Sequence, residues 1–208
     1  MANGTLKAIA LNCTLKSSRD NESSSTEVLL GQVADALKEH DVEMETIRIV
    51  DLNIKPGVQA DEGEGDDWPA VRQRILDAQI LVVGTPIWLG QPCSLAKRVF
   101  ERMDAFFSEK DDKGRLPPYG RVGAVVVVGN EDGAHHVSSE LYQTLLDVGF
   151  SVPPNAVTYW VGEALGSIDY KDLKSTPKGT AGMTQALAAN VAHLARVLEK
   201  NPYPGSSS

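Results

Sequence analysis

"QILVVGTPIWLGQPCSLAK", residues 79–97, decides how the chain is read. Four apolar residues run into Gly84. A proline, a tryptophan, a second glycine and a second proline follow, and the chain then turns amphipathic from Ser94. A nearly continuous apolar run of this length predicts a strand buried on both faces, as in a parallel sheet. The helical spacing of Leu95, Val99, Met103 and Phe106 predicts a helix over 94–107. The two together form a strand–loop–helix unit.

Working outward, the same unit recurs. "LKAIALN" (6–12), "METIRIV" (44–50) and "GAVVVVG" (123–129) predict three further strands, and the weaker "AVTYWVG" (156–162) a fifth. Helices are expected between and after them, over 25–40, 67–77, 134–148 and 182–200. Ser25 or Thr26 is expected to cap the first, whose stripe is Val28, Leu29, Val33, Ala36 and Leu37. Strict alternation implies an α/β fold with a doubly wound five-stranded parallel sheet, helices on both faces and right-handed crossovers. One domain is expected over 1–200, with a disordered tail over 201–208. The acidic, glycine-rich segment 55–67 reads as a mobile surface loop. The irregular stretch 162–181 has the character of a lid or a subunit contact.

Composition narrows the function. The 208 residues carry a formal net charge of −8. An acidic chain without a basic excess has nothing with which to displace counterions from nucleic acid or to hold an anionic membrane. Its longest apolar runs are far too short to span a bilayer, and no signal-peptide pattern opens the chain. Two cysteines, Cys13 and Cys93, make no disulfide scaffold, so a reducing cytoplasm is the expected setting.

In a doubly wound sheet, ligands sit at the carboxyl ends of the strands, so the loops there carry the chemistry. The first, "NCTLKSSRDNESSST" (12–26), has no glycine. The dinucleotide fingerprint and the phosphate-binding P-loop are both absent. The loop is instead rich in hydroxyls, among them Thr14, Ser18, Ser25 and Thr26, around a helix start, with Lys16 and Arg19 nearby. It reads either as a site for a phosphate monoester bound without a metal or as a flexible loop with an ordinary N-cap. In the third loop, "GTPIWLGQP" (84–92), Trp88 either packs under the next helix or walls a ligand. The fourth, "GNEDGAHH" (129–136), either opens a helix or lets backbone approach a ligand at Gly129 and Gly133, with Asn130 offering an amide. In the order 2-1-3-4-5, these three loops meet at one point. One suits a phosphate and two suit a planar heterocycle, a combination that fits FMN.

At these residues the chain resembles the NADPH-dependent FMN reductase and NAD(P)H:quinone oxidoreductase group of flavodoxin-like proteins. "TPIWLGQPCSLAKRVFERMD" (85–104) is similar to that group's third-loop motif, and "GNEDGAH" (129–135) to its Gly-Asn motif. Cys13-Thr14 stands where Gly-Ser is usual. The resemblance implies that Thr14, Ser18, Ser25 and Thr26, with Lys16, hold the FMN phosphate. It implies that Pro86, Ile87, Trp88 and Leu89 form one wall beside the ring, and Gly129, Asn130 and Gly133 the other, with His135 near the rim as a candidate proton donor. It further implies NAD(P)H as co-substrate, a quinone, flavin or other small molecule as electron acceptor, and a homodimer or homotetramer. The rival reading is a flavodoxin-like electron carrier that makes no direct use of NAD(P)H. Cys13 and Cys93 follow strands expected to be about 5 Å apart, which raises the separate idea of a redox pair.

Overall fold

The computed structural model describes residues 4–164 and 166–205. Strand β1 (Leu6–Asn12) leads to helix α1 (Ser25–Lys38), β2 (Val42–Arg48) and α2 (Trp68–Asp77). Then come β3 (Ile80–Trp88), the two-residue β4 (Gln91–Pro92) and α3 (Ser94–Met103). The chain closes with β5 (Val122–Gly129), α4 (Ala134–Asp147), β6 (Val157–Val161) and α5 (Lys178–Lys200). The parallel sheet has the order β2-β1-β3-β5-β6. With the short β4 set aside, this is the expected 2-1-3-4-5 arrangement. β4 pairs antiparallel with the end of β3, matching Ile87 with Pro92 and Trp88 with Gln91.

The central strands β1, β3 and β5 are buried on both faces because successive side chains feed two cores. Ile9, Leu11, Leu81, Val83, Val125 and Val127 point to α2, α3 and α4. Ala8, Ala10, Val82, Ala124 and Val126 point to α1 and α5, meeting Leu29, Val33, Leu187 and Val191. In register, Asn12 lies beside Gly84 and Gly84 beside Val126. The ends of β1, β3 and β5 are thereby level, and their loops come together.

Several boundaries differ from expectation: β3 runs past Gly84 to Trp88, and the helix expected over 94–107 stops at Met103, with a 3-10 turn over Asp104–Ser108. The second strand runs over 42–48, two residues early, because Ile49–Asp51 form a 3-10 turn that buries Ile49. The last helix begins at Lys178, ahead of 182. Helix α1 is capped by Ser24, whose Oγ accepts the Glu27 N–H at 3.0 Å. Glu27 then sits at the third helical position, which is capping-box spacing, but its carboxylate pairs with Arg48.

The acidic loop 55–67 is tied down at its centre. Asp66 is fully buried against Arg102, with Nη2–Oδ2 2.7 Å. It also accepts N–H bonds from Lys55, Glu62 and Trp68. Arg102 further donates to the carbonyls of Lys55 and Gln59. Burial alone would raise the Asp66 carboxyl, but these donors outweigh it and hold its pKa well below the usual carboxylate range. Of the tail expected over 201–208, residues 206–208 lie outside the described residues. Tyr203 stands edge-on to Tyr119, with its hydroxyl 3.0 Å from Ser151 Oγ.

Candidate functional site

A cleft of about 200 Å³ opens where the loops after β1, β3 and β5 meet. Gly84 is what allows α1 to start there. A Cβ at this position would lie 2.9 Å from Leu30 and 3.1 Å from Thr26, so any larger residue would push the helix off the sheet. Glycine here therefore fixes the helix start beside the end of β3.

The first side of the cleft is built from Thr14, Leu15, Lys16, Ser24, Ser25 and Thr26. Three of its hydroxyls share one feature. Thr14 Oγ1 accepts the Lys16 N–H at 3.3 Å, Ser24 Oγ accepts that of Glu27, and Ser25 Oγ accepts that of Lys171 at 3.3 Å. With acceptor capacity used by backbone, each retains its O–H as a donor. Beside them, the first amides of α1 have no partner within the helix. The donor set suits an oxyanion. Lys16 adds little free charge, because its Nζ lies 3.5 Å from Glu22.

The opposite side is made of Pro86, Ile87 and Trp88, facing Val128, Gly129 and Asn130. Trp88 is 54% exposed and takes no part in either core, so it is not packed under α3. Trp88 to Gln91 is a two-residue hairpin turn. Both central residues have positive φ, +53° at Leu89 and +74° at Gly90. That is the hairpin geometry that normally demands Asn-Gly or Gly-Gly. Leucine tolerates it here because the Glu131 carboxylate accepts both turn N–H groups, Leu89 at 3.1 Å and Gly90 at 3.2 Å. A third wall comes from Trp160, Asp169 and Tyr170.

Nine of the thirteen sequence-predicted residues therefore line one cleft: Thr14, Lys16, Ser25, Thr26, Pro86, Ile87, Trp88, Gly129 and Asn130. The other four stand apart from it. The Ser18 N–H bonds Asp51, together with the Ser17 hydroxyl. Leu89 projects into solvent, 91% exposed. Gly133 backs onto the Gly90 backbone. His135 lies in a neighbouring hollow with Tyr159, its Nε2 3.3 Å from the tyrosine hydroxyl. Sequence reasoning missed Ser24, Trp160, Asp169 and Tyr170. Of these, Ser24 alone carried a signal, as one of the hydroxyls of the first loop. A larger hollow, bounded by Lys7, Glu45, Arg74 and Asp77, lies on the amino-terminal half of β1 and β2. Its Arg74 is already paired with Glu45.

Cys13 and Cys93 are both free and buried. The Cys93 thiol donates to the Cys13 carbonyl at 2.8 Å. Burial, and then the neighbouring Cys93, pushes the Cys13 thiol well above its ordinary pKa. A thiol held protonated in an apolar interior is a poor nucleophile, so the setting of Cys13 disfavours a redox pair.

Strand order and cleft position define a flavodoxin-like α/β protein. The model of the family described as NADPH-dependent FMN reductase matches residues 6–164. The chain is 34% identical over 208 residues to 8-demethyl-8-aminoriboflavin-5'-phosphate synthase of Streptomyces davaonensis, a match that covers 95% of this chain and 80% of that protein. The crystal structure of RosB with bound 8-demethyl-8-formylriboflavin-5'-phosphate superposes with a TM-score of 0.86 at 32% identity. It covers 96% of this chain and 82% of that one. The chain belongs to the NADPH-dependent FMN reductase family, whose members are flavin-dependent oxidoreductases. It is also 38% identical over 204 residues to the divalent metal cation transporter MntH of Mycobacterium bovis. That match takes in 93% of this chain but only 29% of the transporter's length. Among the described residues, no helix is long and apolar enough to cross a membrane.

Proposed function

We propose that the cleft binds FMN and that the chain uses it to carry electrons from NAD(P)H to a small acceptor such as a quinone or a second flavin. The observation that carries this reading is the donor state of Thr14, Ser24 and Ser25. Three hydroxyls, each with a lone pair already taken by backbone, converge on a helix start beside an apolar slot.

The donors fit a phosphate monoester, and the slot between Ile87–Trp88 and Gly129–Asn130 fits a flat ring. A flavin held there supplies hydride acceptance and onward electron transfer. The chain's own residues bind and orient. The hydroxyls and amides at the start of α1 fix the phosphate end. Pro86 stiffens the third loop, and Glu131 holds its turn so that Trp88 stays at the lip of the cleft. Trp160 and Tyr170 keep water from the remaining side. Solvent-exposed Leu15 and Trp88 line the mouth. This apolar rim supports the expectation of a homodimer or homotetramer, which sedimentation measures, and a cytoplasmic setting remains our reading of the acidic, cysteine-poor composition. The protein should purify yellow, or take up FMN when it is added, and should oxidise NAD(P)H once a quinone is supplied. Bound flavin without turnover favours the electron carrier. Failure to bind FMN overturns both readings.

A second reading has the flavin phosphate as substrate, altered on its ring, and the similarity to the Streptomyces davaonensis synthase favours it. Mass spectrometry of flavin released after incubation separates the two. An unaltered FMN mass after turnover supports the reductase, and a changed mass supports the synthase-like reading.

A further inference from the structure

The segment after β6 lies beyond residues 6–164, the part that the family model matches, yet it contributes Asp169 and Tyr170 to the cleft. Five contacts fasten it. The Asn130 side-chain amide donates to the Gly166 carbonyl at 2.9 Å. The Tyr170 ring packs on Trp160 with centroids 5.4 Å apart. The Tyr170 hydroxyl donates to Gln32 Oε1 at 2.6 Å, and Gln32 Nε2 donates onward to Thr176 at 3.0 Å. The Lys171 N–H donates to Ser25 Oγ. Residues 166–176 therefore form a strap from the fourth loop to the first turns of α1.

We propose that Tyr170 is a positioning residue for the phosphate end of the flavin site, acting through its neighbour Lys171 on the Ser25 hydroxyl. This rests on the FMN reading above. Gln32 lies on α1 itself, two turns beyond Ser25. Its bond to Tyr170 holds the strap at a set height against the helix, and the next residue places its N–H on Ser25 Oγ. That N–H occupies a lone pair of the hydroxyl and leaves the proton to face the cleft. When the strap is released, Ser25 is free to turn its proton onto another acceptor, and the site loses one oriented donor. The ring end is unaffected, because the Tyr170 ring stays on Trp160.

The test compares FMN with riboflavin, which lacks only the phosphate, by fluorescence titration of the intact chain. Tyr170→Phe removes the hydroxyl and keeps the ring. Gln32→Met breaks the same bond from the other side. Both should weaken FMN binding by about three- to tenfold, the size expected for one misplaced donor. Riboflavin affinity should stay within about twofold, and the losses should not add to that of Ser25→Ala. A purely structural role would weaken both ligands alike. Equal losses, or no loss with either variant, overturn the strap proposal while wild-type preference for FMN over riboflavin upholds the reading beneath it. A wild-type chain without that preference overturns both.

Discussion

Replacing Arg102 tests the physical account of the fold most directly. Its side chain is fully buried and faces an equally buried Asp66. Its guanidinium stacks 5.7 Å from the Trp68 ring centre and makes three further bonds to the Lys55 and Gln59 carbonyls. In Arg102→Met the volume is roughly kept, but Asp66 retains only its three backbone donors. Breaking one partner out of a buried pair costs about 3–5 kcal/mol. At about 2–4 °C per kcal/mol for a chain of this size, the melting temperature should fall by roughly 6–20 °C. The companion Arg102→Met/Asp66→Asn removes the stranded charge and should recover at least half of the loss. Urea unfolding followed by tryptophan fluorescence, with calorimetry alongside, measures both. None of these residues lines the cleft, so FMN affinity below the transition should hold. A loss under about 1 kcal/mol for the single variant, or no recovery in the double, would refute the claim that loop 55–67 is organised around a paired carboxylate.

Four other outcomes follow from the geometry. The Asp66 pKa is depressed in the fold, so its stabilisation is complete above the unfolded value of about 3.9 and is lost as pH falls below it. The stability gap between wild type and Asp66→Asn should therefore narrow on acidification below about pH 4, and a constant gap in urea midpoints would contradict this. Trp88→Ala should weaken FMN binding by about three- to tenfold and slow turnover, since a half-exposed ring at the cleft lip contributes contact and little core packing; unchanged titrations would mean the ring touches nothing bound. Glu131→Gln leaves one of two turn N–H groups without an acceptor, at a cost of about 1 kcal/mol. It should lower kcat with little change in melting temperature, and an unaltered kcat would show that the turn holds itself. Cys13 and Cys93 should resist a thiol reagent in the native chain and both react in denaturant; a disulfide formed by peroxide in the native state would end that account.

Much of the fold was legible because β3 and β5 are nearly continuous aliphatic runs, and such runs have one stable setting, a sheet covered on both faces. What could not be read was set by distant partners. Segment 55–67 has the composition of a solvent loop, but Arg102, 36 residues beyond Asp66, turns its acidic centre inward. In the first loop, Ser23, Ser24, Ser25 and Thr26 are interchangeable as caps on propensity alone. The close approach of Gly84 to Thr26 and Leu30 sets where the helix begins. Tyr170 offered no periodicity, because its place depends on Gln32, 138 residues earlier.

On the proposed reading, the cleft is an anion site built by an acidic chain. Among the described residues one cation, Lys16, lines it, and that charge is shared with Glu22. Arg48, the nearby guanidinium, is committed to Glu27 and the Lys16 carbonyl. What remains are neutral donors whose directions are set by backbone: three hydroxyls, each with one lone pair occupied, and the Ser25 and Thr26 amides that open α1. Such donors recognise a phosphate by position more than by charge. An acidic residue such as Asp169 can then share the cleft without cancelling the site. On that reading, the hydroxyl-rich first loop needs no glycine, and its Arg19 does not line the cleft. That division of labour also explains why the strap matters: where charge does not hold the ligand, the orientation of each proton does.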